Sequence, residues 1–349
     1  MSNKSEKKGN NQLLMTILKG RTFIVLIILV IFFRIVKSNF LDPNTLAMIA
    51  KHVALYGILA LGMTFVIITG GIDLSVGSVV GLVGMLAGGM IQEGVTLKAF
   101  GVTLYFSVPM IVIFMLITGA FIGWVNGMII TKLNVAPFIA TLGTMYICRG
   151  FANLRSAGAT FPKLEGNAAL GNTGLKVFGS DWAHIPAGVY IFAILAVLSF
   201  FLLKKMPFGW HVTAVGGNEK SARLSGIKAD RVKIIVYMIS GFCAAWVGLI
   251  NTAQLSAAHP KSGDGWEMNA IAATVLGGTS MAGGYGTIVG TIVGAFVIGV
   301  INDGMTMCGV SEFWQKVIRG MVIILAVVID QSQRNLQAKM ALQARNENK

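Results

Sequence analysis

The residue best placed to do chemistry is Asp73, a carboxylate set between two apolar runs in Thr69-Gly-Gly-Ile-Asp-Leu-Ser-Val-Gly77. An ionisable group in such surroundings is costly unless hydrated or partnered, so it is a functional candidate by default. The competing and preferred reading is a cap for the next helix, with Ser75 in the first turn. Asn126, Asn302 and Asp303 are further polar residues within or at the ends of apolar runs. Their side chains can serve a polar solute as donors and acceptors, although hydrogen bonding between helices is the commoner use of a buried Asn in lipid. Catalysis finds no support. No G-x-x-x-x-G-K-[ST] loop, HExxH pair or Ser/His/Asp set occurs, and His52, His184, His211 and His259 are scattered. Cys148, Cys243 and Cys308 stand singly without ligand spacing, as packing thiols do. Neither a catalytic centre nor a metal site is expected.

The elements that must position these residues are membrane spans. Of the 349 residues, 55% are apolar and only 12% are charged, about half the charge of a soluble domain. The 43 glycines lie largely inside apolar runs, where they suit close helix–helix approach in lipid. A net charge of +14 raises the question of nucleic acid. The basic residues, however, concentrate between or beyond apolar runs: Lys4, Lys7, Lys8, Lys19 and Arg21, then Lys204 through Lys233, then Arg334 to Lys349. That is the positive-inside pattern.

A span needs about 20 mainly apolar residues. Candidate spans are 22–39, 46–69, 72–92, 105–131, 135–153, 185–203, 233–255, 268–282, 285–304 and 314–331. The chain is therefore expected to be an all-α polytopic membrane protein of about ten helices. Those around Gly70–Gly71 and Gly283–Gly284 are the ones expected to be broken or re-entrant. Domain limits follow: a tail at 1–21, a membrane domain at 22–331 with a basic loop at 204–232 and an outer segment at 154–184, and a tail at 332–349. Even numbers of spans separate the three basic regions, which places both tails and the basic loop in the cytoplasm. Arg34, Lys37, Lys51, Arg149 and Arg155 fall on the outer side against the rule; long basic side chains can snorkel.

Within the basic loop, Asn218 is a good N-cap, Glu219 suits the positive helix end, and Gly226 is a natural stop. Residues 219–225 are expected to form about two helical turns presenting Ala222 and Ser225 as a small-residue face. The rival reading is a solvated basic loop. Here the chain resembles a known family: Ala214-Val-Gly-Gly-Asn218, Ala222-Arg223 and Ser225-Gly-Ile227 are similar to the signature of ribose-type sugar permeases of ABC importers. The resemblance extends through Thr69–Gly77, Pro137-Phe-Ile-Ala-Thr-Leu-Gly143, Arg149-Gly150, Gly277-Gly-Thr-Ser-Met-Ala-Gly-Gly284 and Trp314-Gln-Lys-Val-Ile-Arg-Gly320, covering roughly 45–330.

This resemblance implies a permease that forms the path for a monosaccharide or similar solute in the bacterial inner membrane. It also implies a second permease copy and a periplasmic or lipid-tethered sugar-binding protein. A cytoplasmic ATPase would carry the ATP and Mg, leaving no cofactor in this chain. Gly217, Asn218, Glu219, Ala222, Arg223, Ser225 and Gly226 would form the element that couples to the ATPase. Asp73, Ser75, Asn126 and Asn302 are the candidate lining of the path. The alternative is an ion-coupled sugar transporter, which wants an ionisable residue at mid-depth; Asp73 and Asp303 both read as closer to span ends. A membrane scaffold or receptor is a third reading, which the glycine-rich spans disfavour.

Overall fold

The computed structural model describes residues 22–97 and 99–347, and they are predominantly helical. In chain order the helices are α1 (Thr22–Val36), α2 (Pro43–Ile68), α3 (Val76–Gln92), α4 (Val108–Lys132), α5 (Pro137–Leu154) and α6 (Ala187–Lys204). They continue as α7 (Pro207–Gly217), α8 (Glu219–Leu224), α9 (Ala229–Leu255), α10 (Trp266–Leu276), α11 (Ile288–Met307) and α12 (Glu312–Glu347). Pro43, Pro137 and Pro207 open their helices, where the missing N–H has no partner to lose. Two small antiparallel hairpins complete the fold: β1 (Val95–Leu97) with β2 (Val102–Leu104), and β3 (Asp181–Trp182) with β4 (Ile185–Pro186).

Among the described residues, α2, α4, α6, α9 and α11 are both long and apolar enough to cross a membrane. Large apolar side chains such as Ile113, Ile117 and Phe121 on α4 and Ile194, Val197 and Leu198 on α6 are exposed, as lipid contact requires. Helix α9 runs through the centre against α2, α3 and α4. Its antiparallel partner α4 presents a glycine every fourth residue: Gly119 against Gly241 and Ala245, Gly123 against Tyr237, Gly127 against Ile234. A Cβ at Gly123 would collide with the Tyr237 backbone. The backbones thus touch, which gains dispersion contacts that lipid does not offer in exchange.

Two expected spans are shorter as helices than their apolar runs. The one at 72–92 is helical only from Val76, and the one at 268–282 only over Trp266–Leu276. Eleven residues rise about 16 Å, half a hydrocarbon core. In both cases non-helical chain, largely turns, supplies the rest. Segment 69–75 climbs from the end of α2 to the start of α3. Segment 256–265 descends beside α3, with Ala258 at Gly88, Pro260 and Ser262 at Gly81, and Gly263 at Gly77. Helix length alone therefore does not deliver a count of ten crossings.

The remaining expectations meet detail that apolar runs do not carry. The basic stretch 204–232 holds α7, α8 and the start of α9, and α12 continues past residue 331 to Glu347. Segment 154–184 contains two short 3-10 turns and the first strand of the second hairpin. It is anchored where Phe161 and Ala258 exchange backbone hydrogen bonds at 2.9 Å. Arg155 pairs with Glu93 at 2.7 Å and Lys51 with Asp181 at 3.1 Å, so two of the basic residues set against the charge rule have acidic partners.

Candidate functional site

Helix α8 sits at the basic end of the bundle. Asn218 takes an extended conformation and its Oδ1 accepts from the Ser221 N–H at 3.0 Å. At the other end Gly226 is left-handed, with φ of 84°, and Ile227 N–H bonds back to Ala222 O at 3.0 Å. Glu219 receives Arg223 Nη2 at 2.8 Å and Lys233 Nζ at 2.5 Å. Arg223 also donates to Asp230, whose other oxygen takes Lys132 Nζ at 3.3 Å. These pairs tie α8 to the first turns of α9 and the last turn of α4. Partial burial pushes the Glu219 carboxyl up, but the hydrogen bonds from Lys233 and Arg223 outweigh it and hold the group below its ordinary value.

The face presented by α8 differs from the expected one. Ala222 is only 5% exposed and points into the chain, so it cannot form a small-residue docking face with the exposed Ser225. The outward surface is Lys220, Arg223, Ser225, Gly226 and Leu224, the last 90% exposed. Leu224 is the residue missed: an apolar side chain alone in a basic stretch is the available signal.

Behind α8, Gly216 and Gly217 lie against the turns at both ends of the glycine motifs. Gly284 N–H donates to Ile68 O at 2.8 Å. A Cβ at Gly216 would collide with that same carbonyl and approach Gly284 N, while one at Gly284 would sit 2.9 Å from Gly217 Cα. Two stretches far apart in sequence, 68–71 and 283–286, thus converge on the residues that lead into α8.

Three of the four candidate path residues form one buried hub. Asp73 Oδ1 accepts from Ser75 N–H at 3.0 Å and Ser75 Oγ at 2.6 Å, and Oδ2 accepts from Ser240 Oγ at 2.7 Å. Asn126 Nδ2 donates to Ser75 Oγ at 3.0 Å, and Thr144 Oγ1 donates to Asn126 Oδ1 at 2.6 Å. The start of α3 is thereby fastened to α4, α5 and α9. The helix cap itself is Ser75, and Asp73 holds it from two residues upstream. Nor is Asp73 near a span end: Ser240 stands about 16 Å along α9 from its first residue. An ion-coupled carrier wants such depth, but Asp73 is 1% exposed and enclosed by serine hydroxyls. Asn302 lies apart, on α11 beside Asp303, which pairs with His52 Nδ1 at 2.7 Å. Among the described residues the Asn302 amide lies beside Tyr56 without a well-formed hydrogen bond.

A bundle of apolar helices with broken crossings, and a capped basic element at one end, defines a polytopic membrane permease component. The chain matches the family described as branched-chain amino acid transport system / permease component over residues 45–327, and it belongs to that family, in its ribose-type branch. It is 42% identical over 316 residues to the ribose import permease protein RbsC of Bacillus subtilis, spanning 89% of this chain and 92% of the relative. The ribose import permease of Haemophilus influenzae is 35% identical, over 92% of this chain and 96% of the relative. The D-allose transport system permease protein AlsC of Escherichia coli is 34% identical, over 94% and 96%. No solved structure matches the chain. Its relatives are transport subunits rather than enzymes, and the family works with an ATPase and a substrate-binding protein.

Proposed function

We propose that this chain is the membrane permease of an ATP-driven importer for a monosaccharide of the ribose kind, coupled to its ATPase through α8. The observation that carries the coupling is geometric. A helix capped at both ends and held by three ion pairs of its own Glu219 and Arg223 follows directly on Gly216 and Gly217, which touch the glycine turns of two broken crossings. Gly217, Asn218, Glu219, Arg223, Ser225 and Gly226 shape and orient it, and Leu224 offers the ATPase an apolar anchor. Ala222 contributes by packing the helix onto its own chain. The basic end faces the cytoplasm, with both termini on that side. The partner ATPase supplies ATP and Mg, segment 154–184 receives the sugar-binding protein, and two permease copies enclose the path.

Reconstitution with a partner ATPase and sugar-binding protein tests the reading. ATP-dependent uptake of radiolabelled ribose, with galactose and allose as competitors, is the expected result; uptake by the chain alone under an ion gradient overturns it. Leu224→Asp places a charge where an apolar anchor is desolvated. It should weaken ATPase copurification at least tenfold while the permease still inserts, and wild-type copurification and uptake would remove α8 as the docking element.

A further inference from the structure

Segment 256–265 and the start of α10 carry charge where lipid should forbid it. The segment follows α3 down to Gly77, about 22 Å below the last residue of that helix. At its foot Asp264 leaves 83% of its side chain exposed. Glu267 follows in the first turn of α10, its carboxylate against Gly77. His259 and Lys261 are exposed above, and Met268 is exposed one turn below. Arg149 on α5 holds the segment in place: Nη1 donates to Pro260 O at 2.6 Å and Ser262 O at 2.9 Å, and Nη2 lies 3.9 Å from Asp264 Oδ1. Beside it the outward face of α5 exposes Gly143, Tyr146, Ile147 and Gly150, and a Cβ at either glycine meets nothing.

A solvent-exposed carboxylate this deep is costly against hydrocarbon and ordinarily faces a water-filled cavity. The turn-rich backbone beside it obeys the same rule, since non-helical chain at membrane depth is tolerated only where protein buries it or water meets it. We propose that the translocation path runs along this wall, between the outward face of α5 and residues 259–268, and that Asp264 is its solute-contacting carboxylate at depth. A carboxylate only accepts hydrogen bonds, and its two oxygens suit the adjacent hydroxyls of a neutral polyhydroxylated solute. Arg149 is the positioning residue, because its hydrogen bonds fix the segment that carries Asp264. The inference rests on the transport reading above and adds the location of its solute contact. It moves the polar lining away from the sealed hub of Asp73, Ser75 and Asn126.

The test uses the full importer in proteoliposomes, with the three native cysteines replaced. Asp264→Cys and, separately, Met268→Cys should react with a hydrophilic, membrane-impermeant methanethiosulfonate, at rates that change severalfold between the resting and ATP-bound states. Ile117→Cys on the lipid-facing side of α4 should not react. Asp264→Leu should lower sugar uptake at least tenfold while the importer still assembles, and Asp264→Asn should lower it less. If the thiols at 264 and 268 stay as inert as that at 117 in every state, the path does not run here. Spontaneous cross-linking of two copies at 264 without reagent labelling would mark a dry subunit interface and overturn the proposal equally. Wild-type uptake by Asp264→Leu would also overturn it. Absence of uptake by the unmodified importer would instead strike the transport reading, which the labelling pattern does not address.

Discussion

The two broken crossings use one device for opposite ends. Each joins a stretch of non-helical chain to a short helix, and each carries an aspartate near the junction. Asp73 is enclosed by three hydrogen bonds from Ser75 and Ser240. Asp264 lies at comparable depth with one long-range ionic neighbour and most of its surface open. The first aspartate organises the protein, because buried acceptors with matched donors specify a unique packing. The second keeps most of its surface open, with Arg149 at 3.9 Å its ion-pair partner among the described residues. A carboxylate in an apolar run is therefore informative only once its hydrogen-bond account is closed or found open.

The largest expected effect falls on the closed crossing. Asp73→Leu strands the Ser75 N–H and the Ser240 hydroxyl in a dry interior, at about 1–3 kcal/mol each. Purified protein should lose yield and melt markedly earlier in detergent, whereas Asp264→Leu should melt like wild type. If the two variants melt alike, the contrast between fastening and path fails. Next in size is Arg149→Ala, which removes hydrogen bonds from a charged donor, worth about 1.5–3 kcal/mol. Segment 256–265 should then become protease-sensitive and uptake should fall. Arg149→Lys should not restore it, since an ammonium lacks the planar fork that spans two carbonyls. Rescue by Lys would show that charge, and not the fork, positions the segment.

The smallest effect belongs to the water-exposed fastening of α8. Glu219 has its folded pKa below the ordinary value of 4.5. A depressed folded value means the stabilisation is fully present above the unfolded value and is lost as pH falls through the folded one. Exchange protection of the α8 amides should thus be flat at neutral pH and decline only below about pH 4.5. The pairs are partly exposed, so the change should stay within about 1 kcal/mol. Glu219→Gln should reduce that acid dependence and leave the share of Asp230, whose carboxyl the Arg223 hydrogen bond also holds below its ordinary value; an unaltered profile would assign it to other carboxylates.

Much of this organisation was legible in the sequence, for identifiable reasons. Helices come through as apolar runs with proline at their starts, and α8 declares itself through Asn218 and Gly226, because capping is local chemistry. The glycine pairs correctly marked where backbone would leave the helix. What stayed hidden depends on partners from elsewhere. His-Pro-Lys-Ser-Gly-Asp-Gly, residues 259–265, reads as an ordinary polar loop, and only Arg149 from α5 and the glycine face of α3 draw it inward. The direction of Ala222 is set by packing against the rest of the chain, which six helical residues cannot announce by periodicity. The depth of Asp73 follows from its bond to Ser240, which no spacing around residue 73 records.

The meeting of Gly216 and Gly217 with Ile68 and Gly284 has a consequence for timing. Peptide groups touch there with no side chains between them, so the joint has no rotamers to re-sort and little to compress. A tilt of α8 cannot be absorbed locally. It reaches the turn before α3 and the turn after α10 in the same instant, one leading up into the sealed crossing and the other into the open one. Such a joint behaves as a crank with two arms and almost no play: both crossings move in phase, or neither does.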